Sequence, residues 1–133
     1  MCIRALVVDD SSTMRQIIIH TLNLCGVTDT VEAANGVEAM EIVHQVYVEL
    51  ILLDWNMPEK NGLEVLREIR AEGNDVPIMM VTTESERSRV VATLEIGVSD
   101  YLIKPFHATA LQEKLHKLVV TSSRTIFPSV RAS

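Results

Sequence analysis

The sequence has few aromatic residues and no excess of basic charge. Aromatic residues make up 4% of the 133 positions, so the 47% hydrophobic content predicts a core of aliphatic side chains and methionine. A chain of this length fits one domain with one core. The formal net charge of -6 argues against a surface that neutralises nucleic-acid phosphates. We therefore expect one globular domain that does not bind nucleic acid directly.

Thiols and imidazoles in metal-binding patterns are also lacking. Cys2 and Cys25 have no CxxC or zinc-finger spacing, which predicts reduced thiols and no disulfide. The 4 histidines show no pairs three or four residues apart within a helix, the spacing that a shared zinc ion needs. These side chains are therefore left out of the predicted site.

Long apolar runs are missing as well. No run approaches the roughly 20 residues that span a bilayer. No segment of signal-peptide form precedes Ile3. We therefore expect a cytoplasmic protein without membrane insertion.

The sequence does contain short apolar runs that predict strands. The run Leu50–Leu53 lacks alternation, as expected of a strand buried on both faces, and it ends at Asp54. Thr30–Ala33 alternates, which predicts an edge strand with one wetter face. The other predicted strands are Ile3–Val8, Val76–Val81 and Tyr101–Ile103.

Helical periodicity separates the predicted strands. Predicted helices begin near five positions: Met14, Val37, Leu63, Glu84 and Leu111. In the fourth helix, Glu84 to Ile96, we expect Val90, Val91 and Leu94 to face the core. Residues 121–133 lack a sustained period, so we divide the chain into a domain, 1–120, and a C-terminal tail, 121–133, expected to be mobile.

Strands that alternate with helices predict an α/β fold. Because each parallel crossover needs a covering helix, we expect a doubly wound, five-stranded parallel sheet with five helices on its two faces. Ligand sites in such sheets lie outside the carboxyl ends of the strands. Side chains at those ends are therefore the candidates for function.

Four of the predicted strands end in polar or charged side chains. These are Asp9 and Asp10, Asp54, Thr82 and Thr83, and Lys104. Each alone could be a helix cap or a surface group. Together, carboxylates repel by about 4 kcal/mol per pair at about 4 Å and an effective dielectric near 20, so they predict a cation.

Oxygen ligands without histidine or cysteine favour Mg²⁺ over zinc. Lys104 would add a second positive charge, and Thr82 a hydrogen-bond donor. Between two cations, the Asp54 carboxylate can act as a nucleophile towards a phosphoryl group.

Four segments resemble the receiver domain of bacterial response regulators, with the closest likeness to CheY-type chemotaxis regulators. They are Val7–Arg15, Leu53–Pro58, Val81–Thr82 and Tyr101–Phe106, and the likeness covers about residues 3–120. The resemblance implies the flavodoxin-like sheet order 2-1-3-4-5, known from flavodoxin and CheY. The predicted edge position of the second strand agrees with that order.

The resemblance also implies roles for the strand-end residues. Asp54 would accept a phosphoryl group from a phosphohistidine of a sensor histidine kinase. Mg²⁺ would be held by Asp10, Asp54 and the main-chain carbonyl of Asn56, with Asp9 acting through water or at longer range. Lys104 would pair with the phosphoryl oxygens.

A conformational switch is implied by the same resemblance. Thr82 would move to the phosphoryl group and let Tyr101 rotate from an exposed to a buried position, so that the fourth helix, fifth strand and fifth helix bind a downstream protein, such as the flagellar motor switch. Asn56, Thr83 and Glu84 would tune access to the phosphoryl group. Thr83 stands where a smaller residue is usual, so we expect it to slow phosphotransfer or dephosphorylation. The implied protein is a monomeric signalling phosphoacceptor and not an enzyme beyond self-phosphorylation and self-dephosphorylation.

Three alternatives stay open. A haloacid dehalogenase-type phosphohydrolase also uses a strand-end Asp, but its second acid would stand where this chain has Asn56. A flavodoxin-like binding domain needs a phosphate loop such as Ser11–Thr13, although Asp9 and Asp10 would repel a cofactor phosphate. The third alternative is the receiver fragment of a longer multidomain regulator.

Overall fold

Strands and helices alternate along the whole described chain. The computed structural model describes residues 3–83, 87–104 and 106–126, with the backbone alone for 87–90, 92 and 118–126. Its elements are β1 Arg4–Val8, α1 Ser12–Leu24, β2 Asp29–Ala33, α2 Gly36–Gln45, β3 Leu50–Leu53, α3 Gly62–Ala71, β4 Ile78–Thr82, α4 Arg87–Ile96, β5 Asp100–Ile103 and α5 Ala108–Ile126. The predicted α/β fold is confirmed.

The five strands form one parallel sheet in the order β2-β1-β3-β4-β5. The strand β2 lies at an edge, as its alternation predicted, and leaves Glu32 exposed. Strand order reverses between β1 and β3, whose last residues, Val8 and Leu53, are paired. The crevice expected in a doubly wound fold therefore lies beyond the ends of these two strands.

Helices cover both faces of the sheet. On one face, α2, α3 and α4 pack over a cluster that includes Leu6 of β1 and Leu66 of α3. On the other face, α1 and α5 pack over a cluster that includes Val7 of β1 and Leu22 of α1. All four residues of β3 are buried, two in each cluster, which confirms the prediction that this strand is buried on both faces.

The predicted buried stripe of α4 is wrong for two of its residues. The side chains of Val91 and Leu94 are 43% and 59% exposed. Thr93 is fully buried, and Ile96 packs against the core, so the buried stripe is rotated by about one residue from the predicted one. The side chain of Val90 and the predicted helix start at Glu84 lie outside the described residues.

Helix α5 continues beyond the predicted domain boundary at residue 120 and ends at Ile126. Residues 121–126 contain no glycine or proline, so nothing in this stretch stops the helix once it has formed. Residues 127–133 of the predicted tail lie outside the described residues, and the mobility of the tail stays a prediction. Within the part of the chain that is described, no helix has both the length and the apolar character needed to cross a membrane.

Candidate functional site

Three carboxylates meet beyond the ends of β1 and β3. The Asp9 N–H donates to the carbonyl of Ala33 at 3.1 Å, and the Asp54 N–H donates to the carbonyl of Val8 at 2.9 Å, so the sheet ladder continues into the site. One carboxylate oxygen each from Asp9, Asp10 and Asp54 lie within 4.8 Å of one another. Asp9 and Asp54 are buried, whereas Asp10 is exposed. The sheet therefore gathers the predicted acids into one cluster.

Lys104 reaches this cluster from the end of β5. Its backbone N–H donates to the carbonyl of Thr82 at 2.8 Å, which fixes the start of its side chain. The ammonium Nζ lies 2.7 Å from Oδ2 of Asp9 and 3.6 Å from Oδ1 of Asp54, and the side chain is 12% exposed. The Lys104 ammonium therefore lies beside two of the three carboxylates and is closer to Asp9.

The environment of Asp54 raises the pKa of its carboxyl group above the ordinary value. Burial is the largest cause, and the negative charge of Asp9 acts in the same direction. Lys104, a hydrogen bond from the buried Thr82 side chain and one from the Trp55 backbone lower the pKa without cancelling the effect of burial. The ionised carboxylate is therefore incompletely compensated by protein groups.

The turn between β1 and α1 holds Asp9 in place. The Ser11 N–H donates to Oδ1 of Asp9 at 2.9 Å. The Ser11 hydroxyl accepts from the Met14 N–H at 3.2 Å and so caps α1. A serine that caps a helix thus also places a hydrogen-bond donor on the buried acid.

An open groove of about 610 Å³ lies beside Asp10, the exposed member of the carboxylate cluster. It is lined by Asp10, Trp55, Asn56, Met57, Pro58 and Asn61. Asn56 is exposed, whereas Trp55 is buried directly after Asp54. The groove leaves room for water or a phosphoryl group beside Asp10.

The other predicted site residues do not join the carboxylate cluster in the part of the chain that the structure describes. Thr83 is exposed just beyond β4. Tyr101 on β5 is half-buried with its hydroxyl oxygen buried, and it packs against the core cluster on the α2, α3 and α4 face, so the exposed position expected of it before phosphorylation is not the one observed. Glu84 lies outside the described residues.

One side chain at the cluster was missed by the sequence prediction. Arg15 of α1 donates through Nη1 to the main-chain carbonyl of Asp9 at 2.7 Å. Its position within the segment Val7–Arg15 was the available signal, but helical periodicity does not show which backbone atom a side chain reaches.

The donor set fits a hard divalent cation. Three carboxylates that are close together, one of them exposed beside an open groove, resemble the oxygen-rich and partly hydrated sites that Mg²⁺ prefers. A cation there would also supply the compensation that Asp54 lacks.

Comparison of the sequence with protein families and curated proteins gives a consistent result. The family model for the response regulator receiver domain matches residues 5–116. A chemotaxis protein CheY homolog of Campylobacter jejuni is 47% identical over 123 residues, which are 90% of this chain and 95% of that protein. Chemotaxis protein CheY1 of Helicobacter pylori is 43% identical over 122 residues, covering 90% of this chain and 98% of that protein.

Solved structures agree with this result. The Vibrio cholerae chemotaxis protein CheY4 superposes with a TM-score of 0.82 at 31% identity, covering 89% of this chain and 99% of that one. A receiver domain protein of Methanospirillum hungatei gives a TM-score of 0.88 over 94% of this chain and 99% of that one, and at 23% identity it supports the fold alone. The chain therefore belongs to the response regulator receiver domain family and is a receiver domain of the CheY type.

Proposed function

We propose that this protein is a single-domain response regulator whose Asp54 accepts a phosphoryl group from a phosphohistidine of a sensor histidine kinase. Receiver domains of the CheY type are signalling proteins that histidine kinases phosphorylate and that act on downstream targets. The observation that carries the proposal is the buried Asp54 carboxylate between the Lys104 ammonium and two further acids. The proposed location is the cytoplasm, and the proposed state is a monomer.

In the proposed reaction, a carboxylate oxygen of Asp54 attacks the phosphorus atom. The bond between phosphorus and the imidazole nitrogen breaks, its electron pair stays on the imidazole, and the product is an acyl phosphate on Asp54. Asp10, Asp54 and the main-chain carbonyl of Asn56 would hold Mg²⁺, with Asp9 acting through water or at longer range. When bound, the ion would offset charge on the phosphoryl oxygens, as Lys104 does from its side.

The proposed signal begins at Thr82. Its side chain is hydrogen-bonded to Asp54 in the unmodified protein, so it is already beside the group that would change. A phosphoryl oxygen would become its new partner, and this would favour the inward position of Tyr101, whose hydroxyl oxygen is already buried in the unmodified protein, over an exposed one. Two arrangements of these side chains, biased by one covalent modification, would form a switch.

The proposed output surface consists of α4, β5 and α5. Exposed apolar side chains support it: Val91 and Leu94 lie three residues apart on α4 and Ile103 lies on β5, and apolar area left in water favours burial against a partner. The proposed partner is a protein of chemotaxis or motility signalling, such as the flagellar motor switch.

Asn56 argues against a phosphohydrolase. The side chain is exposed in the groove, where a hydrolase of the haloacid dehalogenase type would need an acid for proton transfer. An amide cannot take that role. We therefore propose that Asn56, together with Thr83 and Glu84, sets how long the phosphoryl group persists.

Trp55 provides the test, since it is the single tryptophan of the chain and directly follows Asp54. Its fluorescence should change on titration with Mg²⁺, and change again when a small acyl phosphate is added. The second change should require Mg²⁺ and disappear in Asp54→Asn, and mass spectrometry should find one phosphoryl group per chain. Thr83→Ala should alter the rate at which the second signal forms or decays.

The matched control is Asp29→Asn, which removes a carboxylate at the opposite end of the sheet and should respond as the parent does. A donor response that persists in Asp54→Asn would assign the modification to another residue. Repeated turnover of phosphate esters would favour a phosphohydrolase instead. Unchanged rates in Thr83→Ala would contradict the role given to that side chain.

A further inference from the structure

Arg15 joins three elements around the carboxylate cluster. From α1, its Nη1 donates to the carbonyl of Asp9 at the end of β1, 2.7 Å away. Its Nε lies 2.8 Å from Oε1 of Glu32 on the edge strand β2. The side chain is 16% exposed, so the guanidinium is largely enclosed between these partners. Gln16 also donates to Glu32, at 3.3 Å.

The carbonyl of Asp9 belongs to the peptide that leads into Asp10. Because a peptide unit is planar, a hydrogen bond to its oxygen fixes the orientation of the whole unit and hence the direction in which Asp10 begins. The Asp9 side chain is fixed separately, by Ser11 at 2.9 Å and Lys104 at 2.7 Å. Asp10 is exposed, and its place in the cluster depends on the backbone that Arg15 holds.

A guanidinium suits this position better than an ammonium. Its planar fork presents Nε and Nη1 to two acceptors at once, which the compact ammonium of lysine cannot do from the same place. Glu32 compensates the positive charge, so Arg15 can hold the backbone of a cation site with less repulsion of the cation.

We propose that Arg15, anchored by Glu32, is a positioning residue that sets the divalent-cation affinity of the carboxylate cluster by fixing the peptide between Asp9 and Asp10. This inference rests on the proposed function, because it assigns the cluster to a cation. The positive charge of Arg15 alone would weaken Mg²⁺ binding, whereas its positioning role would strengthen it. The change in Mg²⁺ affinity when Arg15 is removed therefore tests the inference directly.

Mg²⁺ affinity would be measured by Trp55 fluorescence for the parent, Arg15→Ala, Arg15→Lys and Glu32→Gln. Removal of a cation near the site should tighten Mg²⁺ binding if charge alone matters. We instead expect Arg15→Ala to weaken it about 10-fold, as losses of groups that orient metal ligands commonly do. Arg15→Lys should remain weakened, whereas Glu32→Gln keeps an acceptor for Nε and should stay within about 3-fold of the parent.

The control variant is Arg4→Ala. Arg4 of β1 and Asp29 of β2 form an ion pair of 3.0 Å at the ends of these strands that lie away from the cluster. This variant should bind Mg²⁺ as the parent does. Thermal unfolding of each variant in metal-free buffer would show that the comparison is made between folded proteins.

The results separate this inference from the proposed function. Mg²⁺ binding by folded Arg15→Ala that equals or exceeds that of the parent would overturn the positioning role. If Arg15→Ala does not fold, Glu32→Ala removes the anchor alone, and undiminished affinity there would overturn the role equally. A parent that binds Mg²⁺ but takes no phosphoryl group would overturn the proposed function and leave the positioning role standing. A parent without a Mg²⁺ response would overturn both.

Discussion

At the scale of single residues, Asp54 combines burial with a negative charge. Burial and Asp9 raise the pKa of its carboxyl group, whereas Lys104 and Thr82 lower it with less effect. A group whose pKa is higher in the folded than in the unfolded state binds its proton more tightly on folding. Its contribution to stability is present below the unfolded pKa and is lost as pH rises through the folded pKa. At neutral pH, metal-free folded protein therefore carries an unfavourable charge at Asp54.

This charge predicts that Asp54→Asn stabilises the metal-free protein. At pH 7 in a chelator, the variant should have a free energy of unfolding about 1 kcal/mol higher than the parent, an ordinary size for one substitution. The difference should shrink as pH falls through the raised pKa, because the parent then becomes neutral at this position. Urea unfolding at a series of pH values measures both effects.

At saturating Mg²⁺ the parent should instead be more stable than Asp54→Asn. Binding of the ion stabilises the folded parent, and the variant, which lacks one proposed ligand, should be stabilised less. The control is again Asp29→Asn, which removes a carboxylate at the end of the sheet away from the cluster. An Asp54→Asn protein less stable than the parent at pH 7 without metal would contradict the account of this site.

At the scale of elements, the first turn of α3 touches the backbone that carries Asp54. The Gly62 N–H donates to the carbonyl of Trp55 at 2.9 Å. A Cβ added at Gly62 would lie 2.3 Å from the carbonyl oxygen of Asp54 and 2.9 Å from Cα of Trp55. Both are backbone atoms, so the contact cannot be relieved by a side-chain rotation.

Gly62→Ala should therefore push α3 away from Asp54. We expect a loss of about 1–3 kcal/mol in the free energy of unfolding, typical of overpacking, and a weaker Mg²⁺ affinity because the backbone of a proposed ligand shifts. Chemical denaturation measures the stability, and titration of Trp55 fluorescence measures the Mg²⁺ affinity.

Gly73→Ala is the control. Gly73 has a φ of +78° and nothing lies within 4 Å of an added Cβ, so backbone strain alone should lower the free energy of unfolding by about 1–2 kcal/mol. Parent-like Mg²⁺ affinity in Gly62→Ala would contradict this prediction.

The elements also show what the sequence could and could not predict. The strand β3 was predictable because an uninterrupted apolar run of four residues leaves little choice but a strand buried on both faces. The carboxylate cluster followed, since parallel strands bring their carboxyl ends to one edge. The face of α4 was not predictable from hydrophobicity, because the helix buries Thr93 and exposes Leu94. The contact of Arg15 with a backbone oxygen likewise depends on tertiary placement.

At the scale of the whole molecule, one sheet joins two hydrophobic layers. Adjacent residues of the central strands point to opposite clusters: Leu52 packs with α1 and α5, and Leu53 packs with α2 and α3. Loss of either helical layer would expose one complete face of the sheet to water. The two layers should therefore unfold together, although each has its own cluster.

Because both layers share the sheet, large-to-small substitutions on either face should destabilise the whole domain to a similar extent. Leu22→Ala in the α1 layer and Leu66→Ala in the α3 layer each remove a fully buried side chain and should cost about 2–5 kcal/mol. The midpoint of urea unfolding should fall while its slope stays unchanged. The control is Leu24→Ala on the same helix as Leu22. The Leu24 side chain is 62% exposed, so this change should alter the free energy of unfolding by less than about 0.5 kcal/mol.

Trp55 belongs to the cluster on the α3 side of the sheet, so in Leu22→Ala its fluorescence reports on the layer opposite the cavity. Coincident fluorescence and circular dichroism transitions would show one cooperative unit, whereas a loss of helicity that precedes the Trp55 transition would show that the α1 and α5 layer unfolds on its own.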